Sequence, residues 1–304
     1  MSSASERAEI SKADAAGEPC PTPLAWQQVI AAVHEEREEF TFACGGGRLR
    51  GATFGRGRPL YFLGPIAGDW DLFGLTAWLL REDYRCTFVE LPSLGYTTDA
   101  ATYLAECADA VIAAADQLED GRIALLGASF GATVALAVMG AHTDRVETAV
   151  LFSATAGRRL TLIERAMLVW GGLLPGRLRQ LPGWKGIQEQ NHRRWFPPFD
   201  HSRFEFLLQN LGETSIAGAA RRQAVLGGVD LRSRLAQIDQ RVLVVRTEGE
   251  GRILAEHQRE LQGALPAAVV EEMHNTGQLP YLTHPHRVAK LVRGFLDEGL
   301  GTRD

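Results

Sequence analysis

Cysteine is scarce in this sequence, and its arrangement excludes the usual disulfide and metal frameworks. The chain of 304 residues has four cysteines, and none forms a C-x-x-C pair or stands at ligand spacing from a histidine. We therefore predict free thiols, a reducing compartment and a cytoplasmic location. We interpret as surface residues the histidines that are scattered along the chain without ligand spacing: His34, His142, His192, His201 and His257. No metal, nucleotide or other cofactor site is predicted.

The sequence also lacks an excess of positive charge and an apolar leader. Its net charge of −5 gives no reason to expect a nucleic-acid partner. Residues 1–22 have no apolar core of the kind found in signal peptides, and we interpret them as a disordered leader. One uncharged run, residues 123–143, is long enough to cross a bilayer. Its glycines and its strand-like first half favour a buried strand–turn–helix unit, so no transmembrane segment is expected.

Short apolar strands alternate with helical patterns along most of the chain. Residues 24–39 have the spacing of an amphipathic helix, and residues 40–44 and 48–53 flank three glycines in the pattern of a hairpin. The alternation then predicts a mostly parallel sheet with helices on both faces. The later strands are predicted at residues 59–63, 85–91, 122–127, 147–154, 241–247 and 268–273.

Residues 156–235 interrupt this alternation with a helical and more basic segment. Within residues 156–228 there are eleven Lys or Arg and five Asp or Glu, which is a net charge of +6; since the whole chain carries −5, the remainder carries −11. The segment is also rich in large apolar side chains between residues 160 and 174. We interpret it as an inserted helical cap over the carboxyl edge of the sheet, where ligands of α/β proteins bind. The core would then comprise residues 23–155 and 236–304.

The stretch from Gly127 to Gly131, "GASFG", carries the clearest chemical motif. It follows an apolar strand and precedes an apolar helix, which is the context that a G-x-S-x-G nucleophile elbow requires. The residues around Ser129 are small enough for such a tight turn. The helix N-terminus would offer N–H groups and the positive end of its dipole to a developing oxyanion. The less specific alternative is a glycine-rich turn with an incidental serine.

With this motif and the cap, the chain resembles the α/β-hydrolase family over about residues 40 to 300. The resemblance implies an α/β fold with a mostly parallel central sheet flanked by helices and with the cap inserted between two strands. It implies Ser129 as the nucleophile of a serine hydrolase. The family's acid follows the strand after the cap, and here that strand leads into "RTEGEG". The resemblance therefore implies Glu250 as the acid, with Glu248 as the competing choice.

The family's oxyanion hole uses two backbone N–H groups, and the resemblance assigns one of them to Phe130. The other depends on how "LGPIAG" is aligned. An alignment on Gly64 gives Pro65, which has no N–H. An alignment with a thioesterase-like H-P-x-G-G pattern gives Ile66, which we prefer.

The family's catalytic histidine is absent from its usual place, which Gln278 occupies in "NTGQLP". A side-chain amide cannot act as a general base near neutral pH. His274 is the nearest residue that could substitute. Three interpretations remain: acyl transfer with a substitute base, a fold that binds its ligand without turnover, or an engineered His-to-Gln change.

The leading prediction is a hydrolase of an ester or thioester with an altered triad; the alternative is a non-catalytic binding or interaction protein. The cap's apolar residues suit the acyl or hydrocarbon part of a small-molecule substrate, and its cations suit a carboxylate, phosphate or thioester carrier. An ordinary amphipathic cap with a solvated basic face is the simpler interpretation. A basic amphipathic cap could also contact anionic membrane surfaces weakly. The sequence indicates no oligomeric state.

Overall fold

An eight-stranded sheet forms the centre of the molecule. The computed structural model describes residues 25–44, 47–92, 99–157 and 159–298. The strands lie in the order β1-β2-β4-β3-β5-β6-β7-β8. Their bounds are β1 Glu38–Cys44, β2 Gly47–Phe54, β3 Arg58–Leu63, β4 Tyr84–Glu90, β5 Ile123–Ala128, β6 Val146–Phe152, β7 Arg241–Thr247 and β8 Ala268–Met273.

Strand pairing in this sheet is mostly parallel, as predicted. β1, β2 and β4 pair in antiparallel fashion, and every pair from β4 through β3 to β8 is parallel. The hairpin predicted on either side of the glycines is β1–β2, and each of the later predicted strands is present to within one or two residues. All six residues of β5 are buried, because this central strand is covered by helices on both faces.

The helices cover both faces of the sheet and join its parallel strands. One buried cluster lies under α3 and α4, and the other lies under α1, α2 and α12. The helix bounds are α1 Trp26–Glu36, α2 Gly74–Leu80, α3 Ala100–Gln117, α4 Phe130–Ala141, α5 Leu162–Gly171, α6 Trp184–His192, α7 His201–Gly212, α8 Ile216–Gly228, α9 Arg232–Leu235, α10 Gly251–Ala264, α11 Pro280–Thr283 and α12 Pro285–Glu298.

Helices α5 to α9 lie between β6 and β7, where the sequence predicts a helical segment. We call residues 159–235 the insertion. It is tied to the loop after β3: the Gly68 N–H donates to Thr214 Oγ1 at 2.8 Å, and Arg222 Nη1 donates to the Ile66 carbonyl at 3.3 Å. The predicted boundaries between core and cap stay predictions, and the predicted leader, residues 1–22, lies outside the described residues.

Two sequence expectations concern the whole chain. Cys44, Cys86 and Cys107 are free thiols, while Cys20 lies outside the described residues. No helix within the described ranges has both the length and the apolar character needed to cross a membrane.

Candidate active site

Ser129 occupies a strained turn between β5 and α4. Its backbone has φ 53° and ψ −110°, a left-handed conformation that a non-glycine residue rarely adopts. The turn is held by hydrogen bonds from the Ser129 N–H to the Phe152 carbonyl and from the Gly131 N–H to the Gly64 carbonyl, both 2.9 Å. A Cβ on Gly131 would collide with the Leu63 carbonyl, so only glycine allows α4 this close to β3.

A cavity of about 460 Å³ opens above Ser129. Among the predicted site residues, Glu250, Gln278 and Ile66 line this cavity together with Ser129, although they come from separate loops. The strand order explains why these residues come together, because the loops that follow parallel strands lie at one edge of the sheet. The insertion closes the other side and contributes Gln188, His192, Leu211, Gln223 and Leu226.

The Glu250 carboxyl is buried at the wall of this cavity. Its Oε1 accepts hydrogen bonds from Ser153 Oγ at 3.1 Å and from Gln258 Nε2 at 3.0 Å. Its Oε2 is buried and has no hydrogen-bond partner among the described residues. Burial raises the pKa of Glu250 to about 7, and the Thr247 backbone together with the hydrogen bonds from Ser153 and Gln258 offsets only part of this effect. The carboxyl therefore exchanges its proton near neutral pH.

The sequence left Glu248 and His274 as alternatives, and the structure does not bring either to Ser129. Both line a different cavity, behind the loop that carries Glu250. Glu248 is exposed, and its carboxylate accepts a hydrogen bond from the Asn275 N–H at 2.7 Å. His274 is exposed as well. Glu250 is thus the carboxyl that faces the same space as the serine.

Gln278 lines the cavity but does not reproduce the contacts that a histidine would make in a triad. Within the described part of the chain, its side chain makes no hydrogen bond to Ser129 or Glu250. The Ser129 hydroxyl likewise has no hydrogen-bond partner among the described residues.

Both predicted oxyanion donors lie beside Ser129. The Phe130 N–H is in the first turn of α4, where a helix offers no acceptor of its own. Ile66 lines the cavity, and its position is fixed from one side by the bond between Gly131 and Gly64 and from the other by Arg222. Pro65 also lines the cavity, but it has no N–H to donate.

Two histidines interpreted from sequence as surface residues, His192 and His257, also line the cavity. His192 ends α6, and Gln188 precedes it by one helical turn, so both side chains project from the same helix face. Burial lowers the pKa of His192, which keeps its imidazole neutral at pH 7. The interpretation of His192 as a surface residue is therefore wrong. The spacing of Gln188 and His192 was visible in the sequence, but not the partner that their face would meet.

Trp195, from the insertion, packs between the two loops that carry Glu250 and Gln278. A Cβ on Gly249 would lie 2.8 Å from its ring, and one on Gly277 would lie 2.5 Å from its Cδ1. The two loops are also joined directly, since the Gly249 N–H donates to the Thr276 carbonyl at 3.0 Å. The insertion therefore supports the site loops as well as covering them.

The chain matches a family model described as the alpha/beta hydrolase family over residues 49–291. A comparison with curated proteins gave no match. Among solved structures, an esterase from Exiguobacterium antarcticum is similar, with a TM-score of 0.71, 19% identity, and coverage of 84% of this chain and 98% of that chain. A hydrolase from Pseudomonas aeruginosa PA01 has a TM-score of 0.69 and 20% identity over 85% of this chain and 98% of that chain.

An enol-lactonase from Burkholderia xenovorans LB400 gives a TM-score of 0.67 at 17% identity, covering 85% of this chain and all of the other. At these identities the likeness is one of fold. The family match spans the Ser129 turn, the insertion and both loops joined by Trp195. The chain belongs to the alpha/beta hydrolase family.

Proposed function

We propose that this protein hydrolyses a carboxylic ester or thioester with Ser129 as the nucleophile. One observation carries the proposal: Ser129 is held in a left-handed turn at a cavity that also contains a buried carboxyl and a neutral imidazole. Strain of this kind persists only where the surrounding structure imposes it, and it is concentrated at functional sites.

In the proposed reaction, Ser129 Oγ attacks the carbonyl carbon of the substrate. His192 takes the hydroxyl proton and returns it to the departing alcohol or thiol. Water then attacks the acyl-enzyme by the same route and releases the acid and the free serine. The Phe130 and Ile66 N–H groups stabilise the negative oxygen of each tetrahedral intermediate.

His192 is the base in this scheme because Gln278 cannot accept the proton. The partial burial of His192 suits this role, because it lowers the pKa of the side chain and leaves a neutral imidazole to accept the proton at pH 7. Glu250 faces the same cavity and, when ionised, would stabilise the imidazolium that forms. The esterase and the lactonase of similar fold cleave carboxylic ester bonds according to their names, which accords with this reaction class.

A second function, ligand binding without turnover, is favoured by a specific observation. Neither Gln278 nor a histidine is hydrogen-bonded to the Ser129 hydroxyl among the described residues. An unassisted serine is a weak nucleophile.

The experiment compares hydrolysis of p-nitrophenyl acetate by the wild type, Ser129→Ala, His192→Gln and Gln278→His. We expect Ser129→Ala to lose at least about 10³-fold in kcat/KM and His192→Gln to lose about 10²-fold. His257→Gln is the matched control, since His257 lines the same cavity but has no role in the scheme. The wild type should also react with a fluorophosphonate at Ser129.

The outcomes separate the two functions. If His192→Gln is as active as the wild type, the base is wrong but the hydrolase stands. An inert wild type together with a Gln278→His variant that gains Ser129-dependent activity would mean a hydrolase scaffold that lacks only its base. If every variant is inert and unlabelled, the protein binds its ligand without turnover.

A further inference from the structure

Helix α5 presents its apolar side chains to solvent. None of its ten residues is buried. At about 100° of rotation per residue, the exposed large apolar side chains of the helix occupy one arc of roughly 160°. They are Leu162 (82% exposed), Ile163 (74%), Met167 (68%), Val169 (66%) and Trp170 (71%), and the turn after the helix adds Leu173 (60%) and Leu174 (45%). We call these seven residues the ridge.

The other side of α5 is already packed. A Cβ on Gly171 would lie 3.0 Å from that of Ala220 on α8, and the Arg221 guanidinium donates to the Gly172 carbonyl at 2.8 Å. A capping box fixes the start of the helix: the Thr161 hydroxyl accepts from the Glu164 N–H, and the Glu164 carboxylate accepts from the Thr161 N–H. The ridge is therefore held facing outward by a helix that is anchored on its inner side.

The exposed apolar surface is concentrated in the insertion. Among the described residues, ten large hydrophobic side chains are exposed, and nine of them lie between residues 162 and 199; Val269 is the other. Isolated exposed hydrophobic residues are normal, but a contiguous group indicates an interaction surface.

The segment that carries the ridge has a net positive charge. The segment from residue 156 to residue 228 carries +6, whereas the rest of the chain carries −11. Arg165 lies on α5 at the edge of the ridge and makes no ion pair with any described residue. The occupant of the ridge must therefore offer both apolar contact and negative charge.

A second copy of the chain fits these requirements poorly. Two copies packed through their ridges would bring together two segments that each carry a net charge of +6 over residues 156–228. The part of a second copy outside residues 156–228 is negatively charged, as the ridge requires. Among the described residues of that part, however, Val269 is the only large hydrophobic side chain that is exposed. A bilayer that contains anionic lipid offers an apolar interior beneath a negative surface.

We propose that the ridge on α5 docks the protein on the surface of an anionic membrane. The helix lies in the plane of the interface, with Trp170 at headgroup depth and its leucines among the upper acyl chains. Arg165 contacts the headgroups. Docking requires no turnover at Ser129, so this proposal does not depend on the proposed function.

The test is co-sedimentation of the full chain with phosphatidylcholine vesicles that contain or lack phosphatidylserine, at low and high salt. We expect binding to the anionic vesicles that weakens with salt. The double variant Met167→Gln/Trp170→Gln should lower the partition coefficient at least about tenfold. Arg165→Gln should lower it about fivefold, and only on anionic vesicles. Val269→Gln, on the exposed edge strand β8, is the matched control and should bind as the wild type does.

Circular dichroism of each variant shows whether it is folded, which separates loss of the ridge from loss of structure. The proposal fails if the wild type does not sediment with anionic vesicles, or if the double variant binds as well as the wild type. Sedimentation velocity identifies the competing occupant: a wild-type dimer that the double variant converts to monomer would show that the ridge contacts a second copy.

Discussion

Two apolar segments of this chain have opposite fates. β5 and the helix after it are almost entirely buried, whereas α5 is apolar at seven of its ten positions and has no buried residue. Amino-acid composition does not distinguish the two segments, because both are apolar enough to be predicted as buried. The difference lies in what covers them. β5 has a strand on each side and helices on both faces, whereas the described part of the chain covers α5 only on its inner side. Apolar character alone therefore does not predict burial.

The largest expected effect comes from added volume inside the buried region. We predict that Gly131→Val destabilises the protein by more than about 3 kcal/mol, because its side chain would collide with the Leu63 backbone. Chemical denaturation followed by circular dichroism measures the change. Gly140→Ala is the control on the same helix; its Cβ would meet nothing within 4 Å, and the helical preference of alanine should stabilise the fold slightly. Equal effects at the two glycines would show that α4 is not held against β3.

Removal of apolar volume should separate the regions next. Leu125→Ala on β5 is expected to lower the free energy of unfolding by about 3 kcal/mol, because Leu125 is fully buried. Leu162→Ala on α5 should change it by less than about 0.5 kcal/mol, since 82% of that side chain is exposed. Urea denaturation midpoints of both variants give the comparison. A large loss from Leu162→Ala would mean that the ridge is covered in solution.

The last predicted effect develops only as the pH changes, and it concerns Glu250. The pKa of this carboxyl is raised from 4.5 to about 7 in the folded protein. Between these pH values the unfolded chain releases the proton while the folded protein keeps it, so stability falls as pH rises through this window. Glu250→Gln removes the effect, and its stability relative to the wild type should rise by about 3 kcal/mol from pH 4 to pH 8.

Thermal or urea unfolding at four pH values between 4 and 8 tests this prediction. Glu248→Gln is the matched control, because Glu248 is exposed and should leave the pH dependence unchanged. A flat difference between Glu250→Gln and the wild type would mean that the pKa of Glu250 is the same in the folded and unfolded states.

The sequence was sufficient for the fold because each central strand is a short apolar run and each crossover is a helix of recognisable period. The family resemblance implied that Ser129 and Glu250 belong to one site, with Glu248 as the competing choice, and parallel strands bring the loops that follow them to a common edge. Cavity lining accords with that expectation, although the chemical roles stay predictions.

The sequence could not identify the histidines that line the cavity with Ser129. His274 is close along the chain to the expected position but lines another cavity. His192 lines the cavity of Ser129 because of the way α6 packs over the sheet. The orientation of a helix in an insertion depends on tertiary contacts that one sequence does not reveal. Ser153 and Gln258 were missed for a related reason, because their role depends on the burial of Glu250.

The packing of Trp195 between the loops that carry Glu250 and Gln278 has a consequence for attempts to redesign this protein. Insertions in this position are natural targets for exchange, because they form much of a cavity's wall. Here an exchange would also leave a void against Gly249 and Gly277, whose missing side chains are compensated by the indole ring. A replacement segment without a bulky aromatic residue at that point would let both loops relax and would displace the two residues they present. The wall of the cavity and the positions of Glu250 and Gln278 therefore depend on the same segment of the chain.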